Sequence, residues 1–446
     1  MTLVSEPGRE KQSVAVTERR FLVPFILITS LFFLWAFGVN LNDILIPHLK
    51  KAFGLSDFQS SFIQVAFFGG YFLAAFPAGK VMEKIGYKKG ILAGLFLCTT
   101  GAVLFLPASS SSAYEFFLFA LFVMACGQSF LEVAANPYVT ILGPPASAER
   151  RLNFAQSFNA VGAMLSPLVG RAFILTGAEH APALGAMGAA ELAAHRAAEA
   201  STVKGPYVMI AAIFFLVAVL IQMAHLPDLQ EASAARTNGD SQAKWGSLLS
   251  QGHLVKGVIA QFFYVGAQVG VASFVIRYAQ FAVSGISAKT AAFYLLLHQT
   301  GFMFGRFAGS ALMKRIAPPR LLSIFAAGAL LCAAVALGGS GLIPVCAVVL
   351  LGFFHSIMFP TIFALSIKNL GPLTKRGSSL LVMAIIGGAL FPAMMGRISD
   401  ASSIQRAFAV PLLCYLFILY FGLAGYRPSP VSNKECVRSD NQGALA

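Results

Sequence analysis

Apolar runs of about twenty residues recur from Phe21 to Tyr426, separated by short polar or charged connections. A run of that length matches one helical crossing of a hydrocarbon layer roughly 30 Å thick. Within lipid every backbone N–H and C=O must be paired internally, so only α-helices or a closed β-barrel can span. Barrel strands alternate apolar and polar residues in ~10-residue units, and these runs do not alternate. Of the 446 residues, 57% are hydrophobic and 11% charged, whereas a soluble domain carries about 25% charged residues. The expected fold class is an all-α membrane protein. Twelve transmembrane helices are predicted, near 21–48, 57–84, 90–107, 114–142, 151–176, 206–226, 254–280, 288–313, 320–339, 342–370, 376–398 and 407–426.

The net charge of +14 could suggest nucleic acid, but its distribution follows the membrane. With the N-terminus inside, the clusters Lys80–Lys89, Arg150–Arg151, Lys314–Arg320 and Lys368–Arg376 all fall on the cytoplasmic side. Lys and Arg there outnumber those outside by more than two to one, which is the positive-inside bias and sets both termini in the cytoplasm. No nucleic-acid partner is needed. Residues 1–20 form a polar tail, and the run after it is too long for a signal-peptide core. The expected organisation is a tail at 1–20, a six-helix half at 21–226, a cytoplasmic linker at 227–253, a second half at 254–426 and a tail at 427–446. The stretch Ala178–Gly205, rich in Ala, is a candidate surface helix outside the membrane. Six cysteines show no Cys-x-x-Cys pair and mostly sit in apolar helices, as free buried thiols do.

The halves read as repeats. Arg151 and Arg376, Gly162 and Gly387, and Pro167 and Pro392 share one gapless offset. Weaker echoes link Gly70, Met82 and Ile85 to Gly301, Met313 and Ile316. Parallel six-helix repeats place a substrate site between them near the bilayer midplane. The architecture predicted is two pseudo-symmetric six-helix halves.

Two acids lie deep in apolar helices, Asp43 in Asn-Leu-Asn-Asp-Ile-Leu-Ile-Pro (40–47) and Glu132 in Gln-Ser-Phe-Leu-Glu-Val-Ala-Ala-Asn-Pro-Tyr (128–138). An ionisable group at that depth costs about 2.5–3.5 kcal/mol on insertion scales and is a functional candidate by default. A desolvated carboxyl can hold a proton near neutral pH and release it to the other side. The competing reading is an acid that merely pairs with a polar neighbour to fix helix packing. Asn40, Asn42, Asn136, Gln156, Asn159, Gln261 and Gln268 supply amides that both donate and accept, as a neutral polyol requires. Trp35, Phe158, Tyr264 and Phe359 could give apolar faces for a sugar ring. For each amide alone, an interhelical hydrogen bond explains it equally well. Arg306 is the one basic residue placed inside a helix, free either to counter a carboxyl or bind hydroxyls, or to snorkel to the interface. His298 and His355 read as proton relays or, with more weight, as packing histidines.

The chain contains no Gly-x-x-x-x-Gly-Lys-Ser/Thr loop to drive transport with ATP. His-Glu-x-x-His and a nucleophile elbow are also absent, so an enzyme is not expected. No cofactor or metal site is expected.

The segment Gly79-Lys80-Val81-Met82-Glu83-Lys84-Ile85-Gly86-Tyr87-Lys88-Lys89 resembles the cytoplasmic signature of the major facilitator superfamily, with Glu83 and lysines where Asp and arginines are usual. Segments 40–47, 132–144, 151–159, 264–268, 305–309 and 359–371 resemble the L-fucose–proton symporter family. That resemblance implies a twelve-helix monosaccharide–proton symporter of the bacterial inner membrane, working as a monomer. It implies proton coupling by Asp43 and Glu132, a sugar site that includes Trp35, Asn40, Gln156 and Asn159, and a role for Arg306. Phe359 and Met358 stand where the fucose symporter has a tyrosine and a glutamine. Asn42, Asn136, Gln268 and Phe359 complete the candidate substrate-binding set. The alternatives are a glucose/galactose transporter of the same family, coupled to protons or another cation, and a passive sugar facilitator.

Overall fold

The computed structural model describes residues 15–53, 57–111, 113–173, 188, 204–224, 226, 246–283, 285–286 and 288–428. The expected surface helix in 178–205, most of the linker at 227–253 and most of both tails lie outside the described residues. The first half contains α1 (Leu22–Phe53), α2 (Asp57–Ser111), α3 (Tyr114–Ile141), α4 (Ala148–Phe173) and α5 (Lys204–Met223). The second contains α6 (Gly252–Ala282), α7 (Ala288–Leu312), α8 (Pro318–Gly338), α9 (Leu342–His355), α10 (Met358–Ser366), α11 (Thr374–Met383), α12 (Gly387–Ala401) and α13 (Ala409–Tyr420).

These elements make twelve crossings. α2 is two antiparallel arms joined at Gly86, whose φ of 80° is open to glycine without strain. Between α9 and α10 the helix breaks at Ser356–Ile357, and the cause is Pro360. Its ring lacks an N–H and collides with the carbonyl four residues back, at Ser356. Beside this break the His355 carbonyl accepts from the Tyr264 hydroxyl at 3.0 Å. α11 and α12 are joined through a tight 3₁₀ turn, Ala384–Ile386, followed by the Gly387–Gly388 pair.

Among the described residues nine stretches are long and apolar enough to cross a bilayer, and one of them, Phe62–Ser110, contains the Gly86 turn and crosses twice. The two crossings that fall short on hydropathy are α4 and α7. They carry Arg151, Asn153, Gln156 and Asn159, and His298, Gln299 and Arg306. They also pack against each other, one from each half. The least lipophilic helices are therefore turned inward, where protein rather than lipid satisfies their side chains.

Packing repeats between the halves. α1 lies on α4 in the first half as α6 lies on α12 in the second. A Cβ at Gly162 would strike the Phe33 carbonyl, and one at Gly387 would strike the Phe262 carbonyl. The two glycines of the sequence repeat thus perform the same task, letting a helix backbone approach its neighbour closely, as small residues do in membranes. Five cysteines (Cys98, Cys126, Cys332, Cys346, Cys414) are free, and Cys436 lies outside the described residues.

G162L and G387L should each lower the melting temperature in detergent, equivalent to an overpacking cost of about 1–3 kcal/mol. G69A is the control: no atom lies within 4 Å of a Cβ at Gly69, so its melting temperature should hold or rise.

Candidate functional site

On α3, Gln128, Glu132 and Asn136 recur every four residues and form one buried stripe. α1 and α2 meet its upper end: the Trp35 indole donates to the Tyr71 hydroxyl at 2.9 Å, and that hydroxyl lies 3.4 Å from Gln128 Oε1. Ser129 fastens the same turn by donating to the Tyr71 carbonyl at 3.0 Å. At the lower end Asn136 donates to the Glu132 carbonyl at 3.1 Å and accepts from Gln156 Nε2 of α4 at 2.9 Å. Asn136 and Gln156 are thus joined across two helices, as buried polar groups in a low-dielectric interior require, whereas Gln128 Nε2 has no hydrogen-bond partner among the described residues.

The seam then crosses to the second half. Arg306 of α7 is 4% exposed, and its Nη1 donates to Gln156 Oε1 at 2.8 Å and to the Gln156 backbone carbonyl. Its guanidinium lies 4.6 Å from the centre of the Phe302 ring, a cation–π contact. The charges of Arg306 and Glu132 interact, and Arg306 Nε has no partner. Arg306 does not snorkel. It is an internal cation held between a first-half amide and an acid.

A cavity of about 500 Å³ lies between the halves, within the range of small-molecule sites. Of the expected residues, Trp35, Glu132, Gln156, Asn159, Gln268, Arg306 and Phe359 line it. Asn136 stands behind this wall, with its amide engaged as above. Tyr264 and Gln261 are fully buried away from it, and Phe158 packs edge-on against Phe154 and Phe307. Asn40, Asn42 and Asp43 are carried by α1, but their side chains lie outside the described residues. The wall also includes Gln64, Tyr71, Ser273, His298, Gln299 and Phe302. Nothing in the sequence marked Tyr71, an aromatic inside an apolar run. His298, Gln299, Phe302 and Arg306 share a helical face, and that spacing could have grouped them.

At the end of the molecule bearing the Lys80–Lys89 and Lys368–Arg376 clusters, the halves are clasped by polar contacts. Arg376 of α11 forms a two-pronged ion pair with Glu83 of α2. Lys375 donates to the Met82 carbonyl at 2.9 Å, and Ser379 donates to the Ala75 carbonyl beside Gly79. Opposite them Glu149, itself buried, pairs with Lys368 at 2.8 Å, while Asn153 donates to Thr361 at 3.1 Å. Glu149 sits at the start of α4, so from the sequence it read as an ordinary loop acid. These contacts bridge the two halves at the basic end.

Two six-helix halves meeting on a polar cavity at mid-depth, clasped at one end, define a membrane transporter built to open alternately on its two sides. Its sequence places it further: the chain belongs to the Major Facilitator Superfamily, whose sequence model matches residues 28–392. It is 42% identical to the L-fucose-proton symporter of Escherichia coli over 93% of this chain and 95% of that one. It is equally, 42%, identical to a glucose/galactose transporter of Brucella abortus, over 89% of this chain and 93% of the relative. The crystal structure of the transporter FucP in the outward conformation superposes with a TM-score of 0.84 at 42% identity, covering 91% of this chain and 99% of that one.

If the clasp holds the basic end shut, its loss should expose buried clasp residues. In a background without native cysteines, S379C should resist a water-soluble maleimide. Adding E83Q and E149Q should speed its labelling by at least several-fold, and unchanged labelling would show that the clasp does not keep this end closed.

Proposed function

We propose that the protein imports a monosaccharide of the L-fucose type together with a proton, by alternating access, across the bacterial inner membrane, as a monomer with both termini in the cytoplasm. The observation that carries this reading is Glu132 on the cavity wall, tied through Asn136 and Gln156 to Arg306 of the opposite half. A proton taken up by Glu132 cancels its attraction for Arg306, so the charge state of one half is felt directly by the other. The same guanidinium stands in the wall where a solute hydroxyl would bind. Proton and sugar can thereby bias a common element, which is what coupling requires.

The wall suits a sugar because donors and acceptors alternate with aromatic faces. Gln156, Asn159, Gln268 and Gln299 supply amides, Arg306 supplies donors, and Trp35 and Phe359 supply ring faces. Asn40 and Asn42 join this group on the reading of α1, and Asp43 is the second proton-coupling acid. Asn136 contributes by holding Glu132 and Gln156 in register. Rocking of the halves would then break the basic-end clasp and release solute and proton inside.

A second reading, glucose or galactose uptake, is favoured by the equal identity to the Brucella transporter and by Phe359, which brings no hydroxyl to the wall. A counterflow panel of L-fucose, D-galactose, L-arabinose and D-glucose separates the two.

Addition of L-fucose to de-energised cells expressing the protein should make the medium more alkaline, and a protonophore should abolish this signal. Uptake that ignores both pH and protonophore defeats the symport reading in favour of a facilitator. D43N should lose accumulation against a gradient. E132Q, unable to ionise, should lose sugar-driven alkalinisation by more than tenfold while retaining sugar exchange; if E132Q still alkalinises the medium, Glu132 is not the proton carrier.

A further inference from the structure

On the cavity wall, the geometry of His298 restricts what that residue can do. His298 lies on the face of α7 that also carries Gln299, Phe302 and Arg306, two turns from the arginine. Its Nδ1 is 3.0 Å from the backbone carbonyl of Val348 on α9. A carbonyl oxygen only accepts, so Nδ1 carries the hydrogen. In the neutral ring Nε2 is then an acceptor with no hydrogen to give.

The backbone enforces this arrangement. A Cβ at Gly352 would overlap the His298 carbonyl, so α9 lies tight against α7 at this point. That approach brings the Val348 carbonyl, one turn from Gly352, within reach of the ring. Behind the imidazole, the His355 ring lies edge-on with centroids 6.0 Å apart, and the Tyr415 hydroxyl occupies His355 Nε2. The ring of His298 is therefore fixed from the protein side, while Nε2 is neither hydrogen-bonded nor among the sealed, unpartnered atoms of the interior. It faces the cavity.

We propose that His298 is a specificity-determining residue whose Nε2 accepts a hydrogen bond from one hydroxyl of the bound sugar. The assignment rests on the sugar-transport reading and sharpens it. Arg306, two turns along the same face, can only donate. A polyol lying along α7 must therefore present a hydrogen to His298 and a lone pair to Arg306, which fixes its orientation. Amides, able to do both, cannot impose that polarity.

The test uses the full-length protein in vesicles and whichever of L-fucose, D-galactose and D-glucose the wild type exchanges best. Monodeoxy and monodeoxyfluoro derivatives of that sugar, one position at a time, compete for counterflow. Fluorine accepts weakly and cannot donate, so at the hydroxyl facing His298 both replacements should weaken competition alike, by about three- to tenfold. At a hydroxyl that accepts from Arg306, fluorine should be tolerated better than hydrogen. In H298F the penalty at the first position should vanish while penalties elsewhere persist, and H298Q, which retains an acceptor, should restore it in part. A purely structural histidine would weaken all sugars equally and leave every positional penalty in place, and that result overturns the proposal. So does a wild-type panel with no position at which the two replacements cost the same, a readout that stands even if H298F fails to reach the membrane. If the wild type exchanges none of the three sugars, the transport reading fails, and this assignment fails with it.

Discussion

The hydrogen bonds from Arg306 to the side chain and backbone of Gln156 are the constraint on which the centre of this structure depends. A guanidinium cannot shed its proton to escape a dry interior, so it must be surrounded by acceptors. The second half offers it an aromatic face at Phe302 but gives it no carboxylate at this depth. Its acceptors come from the first half. The same amide that receives Arg306 donates to Asn136, which in turn holds the turn of α3 that bears Glu132. A cation of one half is thus kept in place by a chain that ends at an acid of the other, and the halves cannot separate at this level without changing what both charges see.

Duplication accounts for the scaffold but not for this site. Gly162 and Gly387 make the same close approach in their two halves, and the paired helices around them are laid out alike. The chemistry has diverged on top of that frame. Arg151 spends its guanidinium within its own half, on the carbonyls of Val139 and Thr140 and on the Ser147 hydroxyl. Its repeat mate Arg376 reaches across to Glu83. The first half holds Glu132, Gln156 and Asn159; the second holds Arg306, His298, Gln268, Gln299 and the Pro360 break that sets Phe359 in the wall. An internal cation opposite an internal acid is possible only because the two copies no longer match.

The sequence made much of this legible because the membrane penalises polarity. Glu132, Gln156, Asn159, Gln268 and Arg306 stood out as polar residues in apolar runs, and all line the cavity. The signal failed where polarity is ordinary or absent. Tyr71 and Phe302 are common core residues, and their place in the wall follows from helix rotation, which hydropathy does not encode. Glu149 sits at a helix end where acids are expected, so its burial against Lys368 was invisible. Asn136 and Gln261 looked like their neighbours, yet the first braces the wall from behind and the second is buried apart from it. Polarity identifies a residue that needs a partner; only the packed helices decide whether that partner is protein or solute.

The kinds of contact also differ in a way that separates rigid parts from moving ones. Within each half, helices meet through glycine against backbone, as at Gly162, Gly352 and Gly387. Such contacts gain dispersion over a large area, and water cannot replace them. Between the halves, at the basic end, the contacts are side-chain ion pairs and hydrogen bonds: Glu83 with Arg376, Glu149 with Lys368, Asn153 with Thr361. Once the seam opens, water can offer the same polar groups replacement partners. A half therefore moves as a body while the seam exchanges protein partners for water at little cost. On the proposed coupling the centre supplies the selectivity: Arg306 is held by Gln156 of the opposite half, so the opening of the clasp would answer to whatever occupies the cavity and to the charge on Glu132.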